Sequence, residues 1–171
     1  MGKVLKYIDD VSMWSGKIIA WLILPLTAIM AYDLILRKFY QATIWVFDTT
    51  LWLYSAFFLI GCAWVQMERS QIRVDVIYEK YSPLAKAIFE ILTYLILYFP
   101  VILICAVSAS QYAWESFKAN EISIYSPWAP PLWPIKAIAP VAFLLLLLQG
   151  IGDFIKYLKT VLKGGGGHDE S

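Results

Sequence analysis

The chain has 171 residues, of which 60% are hydrophobic and 16% charged, with 14 Lys+Arg against 13 Asp+Glu and a single histidine. A soluble domain is nearer ~45–50% apolar and ~25% charged, so the apolar surplus exceeds what one small core can hide and something other than water must solvate it. Disorder is excluded by that composition, a nucleic-acid binder is disfavoured by a net charge of +1 without a basic run, and two cysteines cannot make a disulfide scaffold.

In chain order, Val4, Leu5, Ile8, Val11 and Trp14 recur at helical spacing and predict an amphipathic helix in the membrane interface, leading into the first span. That span covers about 18–36. Ile18–Tyr32 is free of charge, Pro25 invites a kink, and Asp33 and Arg37 stand four apart as an intrahelical pair near the surface. No cleavable secretory signal is expected, because this apolar segment is long and no small-residue cleavage pattern follows it. The short connection Arg37–Ile44 makes spans one and two antiparallel neighbours.

Span two covers about 47–67, with Thr49–Met67 uncharged. Asp48, Trp52, Ser55, Leu59, Cys62 and Gln66 recur along it at steps of three and four and form one polar stripe. In the connection Glu68–Lys86, Val74, Ile77, Tyr78 and Tyr81 share one helical face and Arg69, Arg73 and Lys80 another. A surface helix over about 69–81 follows, ended near Ser82-Pro83, although the alternation of Ile72, Val74, Val76 and Tyr78 leaves an extended start open.

Span three covers about 88–114. Ile91–Trp114 carries no charge, Pro100 predicts a kink, and Ser108, Gln111 and Glu115 make a second polar stripe. The next connection packs four prolines and two tryptophans into Tyr125–Pro134, which predicts a rigid extended loop near the headgroups anchored by Trp128 and Trp133. Span four covers about 133–152, with Lys136 expected to snorkel to the surface, and 164–171 is expected to be a flexible tail. A helix rising ~1.5 Å per residue needs about 20 residues to cross ~30 Å of hydrocarbon, so all four stretches qualify. The predicted fold is an all-α integral membrane protein: four transmembrane helices plus interfacial amphipathic helices, in one domain over 1–163.

Four spans leave both termini on one side. That side holds Lys3, Lys6, Lys17, Arg69, Arg73, Lys80, Lys86, Lys156, Lys159 and Lys163, against Arg37, Lys38, Lys118 and Lys136 on the other, which predicts cytoplasmic termini.

The sequence is poor in catalytic chemistry. His168 alone cannot supply a bis-histidine haem site, Cys62 and Cys105 do not form a Cys-x-x-Cys pair, and no P-loop, HExxH or Ser/His/Asp set is present. No enzyme activity, cofactor or metal is expected. Polar residues in hydrocarbon are costly, so the two stripes should face protein: either this chain's own helices or a partner subunit, with a transport path as a third reading.

The ordered residues resemble the small membrane subunit (Q component) of tripartite ATP-independent periplasmic (TRAP) transporters. The resemblance runs from about Tyr32 to Tyr157. It is carried by Arg37, Trp45 and Asp48, then Gly61, then Gln71-Ile-Arg73-Val-Asp75 with Tyr78. Glu121-Ile-Ser123, Pro130-Pro-Leu-Trp-Pro-Ile-Lys136, Pro140 and Gln149-Gly150 complete it. The family commonly has His where Gln71 stands and often one or two Glu after the tryptophan, where this chain has Val46-Phe47-Asp48.

The resemblance implies a bacterial inner-membrane protein that pairs with a large membrane subunit of about a dozen spans, which holds the sodium and substrate sites. A periplasmic substrate-binding protein would deliver a substrate, often an organic acid. The small subunit would brace the large one and help dock the binding protein. Asp48, Trp52, Ser55, Gln66, Arg73, Asp75, Glu121, Trp128 and Trp133 are the candidate partner-interface or helix-organising residues. The rival reading is a self-contained four-span exporter acting as a homodimer, which would need an essential membrane-embedded acid, and Asp33 is its candidate. A redox membrane enzyme is disfavoured by the missing His and Cys sets.

Overall fold

A computed structural model describes residues 2–39, 43–68 and 83–164. Among the described residues there are six α-helices: α1 Gly2–Ala20, α2 Ile23–Phe39, α3 Val46–Met67, α4 Pro83–Thr93, α5 Phe99–Lys118 and α6 Trp133–Gly164, with a π-helical turn Tyr94–Tyr98 joining α4 to α5. They make four helices long and apolar enough to cross a membrane: Leu5–Phe39, Val46–Gln66, Leu84–Lys118 and Trp133–Leu162. The fold is thus the expected one, although spans one, three and four run longer than the uncharged stretches suggest. The predicted surface helix over 69–81, with Arg73 and Asp75, lies outside the described residues, as does the tail beyond Gly164, itself the last residue of α6.

The prolines explain both interruptions. Pro25 has no N–H to give the Trp21 carbonyl, and its ring crowds that carbonyl. The chain therefore tightens there, with Leu22 N–H on Ile19 O at 2.9 Å and Leu24 N–H on Trp21 O at 3.3 Å. Helical bonding resumes with Leu26 N–H on Leu22 O at 3.1 Å. At Pro100 the answer is opposite: the preceding turn widens, and Phe99 N–H bonds the Tyr94 carbonyl. One extra residue in the turn moves the proline ring off the carbonyl it would otherwise strike.

Helix α6 is the hub, packed by α5, α3, α4 and α1, whereas α2 lies at one edge on α3 and α5 at the other edge on α6. Small residues set the close approaches. A Cβ on Gly16 of α1 would come within 2.4 Å of Trp64 Cγ, and one on Gly150 of α6 within 2.3 Å of Tyr98 Cε1. Such crossings replace hydrophobic driving force, which is weak between helices in lipid, with dispersion contact between a glycine backbone and an aromatic ring.

Helix α1 packs on α3 and α6. Trp14 and Tyr7 point outward, while Ser12 is buried and Gly16 meets α3. Ile8 also packs inward, against Gly152 of α6.

Candidate functional site

The strongest constellation lies at the end of the bundle away from the termini, where the loop 119–132 folds onto the start of α3. Helix α5 ends at Lys118, and Asn120 takes a left-handed conformation (φ 45°), which its short polar side chain tolerates. Glu121 N–H then bonds Ser116 O at 3.2 Å. The loop runs out and back as a short antiparallel pair, with Leu132 N–H on Glu121 O and Ser123 N–H on Pro130 O, both 2.8 Å. Its tip is the turn Ser126-Pro-Trp-Ala129, closed by Ala129 N–H on Ser126 O at 3.1 Å, with proline at the position where a fixed φ is preferred. The prolines thus shape a folded loop rather than a merely extended one.

Asp48 pins this loop. It sits in the first turn of α3, where the helix dipole favours a carboxylate, and it is fully buried. Ser123 Oγ donates to its Oδ1 at 2.8 Å, and Ser126 Oγ donates to its Oδ2. The buried carboxylate is thereby satisfied by side chains 75 and 78 positions away. Aromatic contacts widen the anchor: Trp52 with Trp128 at 6.4 Å between ring centres, and Phe47 with Tyr125 at 6.2 Å.

Glu121 and Lys136 close the loop's base as an ion pair, and the Lys136 ammonium also lies 3.8 Å from the Tyr112 ring centre. The hydrogen bond from Lys136 holds the Glu121 carboxyl below the usual carboxylate range. Lys136 therefore does not snorkel free to the surface as expected; its side chain is nine-tenths covered and bound to a partner. Trp133 opens α6 and meets Phe117 edge-on at 5.5 Å. What the loop turns outward is apolar: Ile122, Ile124, Tyr125 and Trp128, with Ile124 86% exposed.

The remaining candidates divide. Gln66 is buried against Tyr98, its side-chain amide 2.8 Å from the phenol oxygen, which in turn lies 2.7 Å from the Leu146 carbonyl. A phenol has one proton. It lies within reach of two acceptors, Gln66 Oε1 and the Leu146 carbonyl, and goes to one at a time. Ser55 is half-buried on the same helix. So Asp48, Trp52 and Gln66 of the first stripe contact other residues of this chain. The second stripe does not: Ser108, Gln111 and Glu115 all face away from the bundle.

Sequence reading missed a second buried polar cluster at the end that carries the termini. Gln149 of α6 is fully buried; it accepts from Ser12 Oγ at 2.8 Å and donates to Asp9 at 3.2 Å and Asp153 at 3.4 Å. Lys156 Nζ reaches Asp9 at 2.7 Å and Asp153 at 3.2 Å. The signal was present: Gln149, Asp153 and Lys156 fall at i, i+4 and i+7, one helix face.

Among the described residues no group of three or more His, Cys, Asp or Glu side chains could hold a metal ion. The arrangement ties helices together and presents a loop.

The family model described as "Tripartite ATP-independent periplasmic transporters, DctQ component" matches residues 26–160. The chain belongs to that family. It is a small membrane subunit of a TRAP transporter, and membership in a transporter-component family fits a chain that is not an enzyme. No curated protein and no solved structure matches it. The matched segment takes in Asp48, the whole anchored loop, and Gln149, Asp153 and Lys156, whereas Asp9 and Ser12 lie before it.

Proposed function

We propose that this DctQ-family chain is the bracing subunit of a sodium-coupled TRAP transporter. It would stand in the bacterial inner membrane with both termini in the cytoplasm and the 119–132 loop in the periplasm. The large membrane subunit carries substrate, an organic acid in the reading favoured here, and needs a fixed body to move against. The periplasmic substrate-binding protein docks on the pair. The observation that carries this reading is the double clamp. Buried polar contacts tie the helices at both ends, Asp48 with Ser123 and Ser126 at one, and Gln149 with Ser12, Asp9 and Asp153 at the other. A bundle locked at both ends serves as a scaffold. The outward apolar residues Ile124, Tyr125 and Trp128 on a pinned loop suit a docking surface for the binding protein.

Asp33, the acid a self-contained exporter would use, has both oxygens engaged: Arg37 Nε donates to Oδ2 at 2.6 Å and Thr43 Oγ1 donates to Oδ1. No observation favours that rival. Purification of the tagged chain from its native membrane in mild detergent tests the proposal. Co-purification of a much larger membrane protein is the expected result, and recovery of a homodimer alone would overturn it.

A further inference from the structure

Helix α5 is an edge helix that packs chiefly on α6. It does so through Ala106, Ala109, Ala113 and Ser116, a face of small residues that lets the two backbones approach. On a 3.6-residue helix the opposite face is the stripe Ser108, Gln111 and Glu115, and all three are exposed. No hydrogen bond or ion pair within the chain reaches them among the described residues. Even the local escape is unused: Ser110, two residues on, donates back to Ala106 O at 2.7 Å, and Ser108 makes no such bond. Lys118, the nearest cation, lies instead over the Trp114 ring at 5.1 Å.

Depth makes this costly. At ~1.5 Å per residue, Gln111 lies about 10 Å and Ser108 about 15 Å from the helix end at Lys118, inside a hydrocarbon layer ~30 Å thick. Acyl chains offer these groups no donor or acceptor.

We propose that the Ser108–Gln111–Glu115 stripe is the seam on which the chain seats a transmembrane helix of the large subunit, one whose facing side chains donate hydrogen bonds. This rests on the reading that the chain works beside a large membrane subunit. Three other occupants fit worse. Lipid cannot satisfy an amide near mid-membrane. A periplasmic protein cannot reach Ser108 or Gln111. A second copy, related by a two-fold axis along the membrane normal, would set Glu115 against Glu115. Glu115 near the membrane surface calls for a donor or a cation on the partner helix, and Gln111 for a group that both donates and accepts.

The test uses the full chain expressed with its large subunit and binding protein. A photoreactive p-benzoylphenylalanine replaces Gln111, and separately Ser108, and the covalent products are identified after irradiation of intact membranes. In parallel, Gln111→Leu with Glu115→Gln is assayed by co-purification. Because both side chains face away from the chain's own core, this variant should accumulate as wild type does while binding the large subunit about fivefold more weakly. If it fails to accumulate, the crosslinks decide. Crosslinks to the large subunit from both positions are the expected outcome. Crosslinks only to lipid, to the binding protein or to a second copy would overturn the seam, as would unchanged co-purification of an accumulated variant. If the wild-type chain brings down no large subunit, the two-subunit reading falls and the seam with it. If it does, and the crosslinks miss, only the seam falls.

Discussion

Asp48 accepts a 2.8 Å hydrogen bond from Ser123, and neither side chain is accessible to solvent. The contact joins the start of the second span to the loop between the third and fourth, so the loop's position is set by a different helix from those it connects. With Ser126 on its other oxygen, the carboxylate acts as a two-pronged peg.

Removing the peg should release the loop without unfolding the bundle. Asp48→Ala leaves two serine hydroxyls without their acceptor, at about 1–3 kcal/mol for each group that stays buried. Hydrogen exchange at Ser123 and Ala129 should rise in Asp48→Ala, and by less in Asp48→Asn, which keeps one acceptor oxygen. Exchange in α6 should be unchanged.

The Gly150 contact makes a packing prediction with a built-in control. Gly150→Ala puts a methyl into the Tyr98 ring, and Gly16→Ala puts one into Trp64. Each should cost about 1–3 kcal/mol by overpacking. Nothing lies within 4 Å of a Cβ built on Gly61. Gly61→Ala should therefore be neutral or stabilising by up to ~1 kcal/mol through helix propensity. Thermal unfolding of the purified chain in detergent reads all three.

Gln149 carries the opposite clamp. Gln149→Leu leaves Ser12 without its acceptor and withdraws a donor from Asp153, both in buried surroundings. Asp153 keeps Lys156, so the expected loss is about 1–3 kcal/mol for the orphaned Ser12 hydroxyl. It should appear first as loosening of α1, read by limited proteolysis within residues 5–20.

The Glu121–Lys136 pair gives a pH dependence. Its hydrogen bond lowers the Glu121 pKa in the folded chain, so the unfolded chain binds the proton more readily. The pair's contribution is therefore complete above the ordinary carboxylate pKa and is lost as pH falls through the lowered folded value. Trp128 fluorescence should report loosening of the loop base on acidification. The step should be missing from the difference profile of Glu121→Gln.

Much of this was legible in the sequence, for physical reasons. Span-length apolar runs have one economical explanation, so the four crossings could be placed, and Asp33 and Arg37 four apart could hardly do other than pair. Asp48 stood out because an acid at the head of an apolar helix needs an explanation. Its partners did not stand out, because serines at 123 and 126 look like ordinary loop residues until the fold brings them 75 and 78 positions back. Lys136 was misjudged for a related reason. Snorkelling is a property of one side chain, whereas pairing with Glu121 depends on a loop that reverses direction. The Gln149 cluster escaped because its charges lie just outside the apolar stretches of the sequence, where solvent is the usual partner. Only packing of α1 against α6 removes that solvent.

The central claim is that this subunit braces transport and does not itself carry substrate. Uptake of labelled substrate into proteoliposomes with and without an inward sodium gradient tests it most directly. Vesicles would contain this chain alone, the large subunit alone, or both, with the binding protein supplied outside. The account predicts no uptake by this chain alone and sodium-dependent uptake by the pair that falls sharply when this chain is omitted. Uptake by this chain alone, or full uptake by the large subunit without it, would contradict the account.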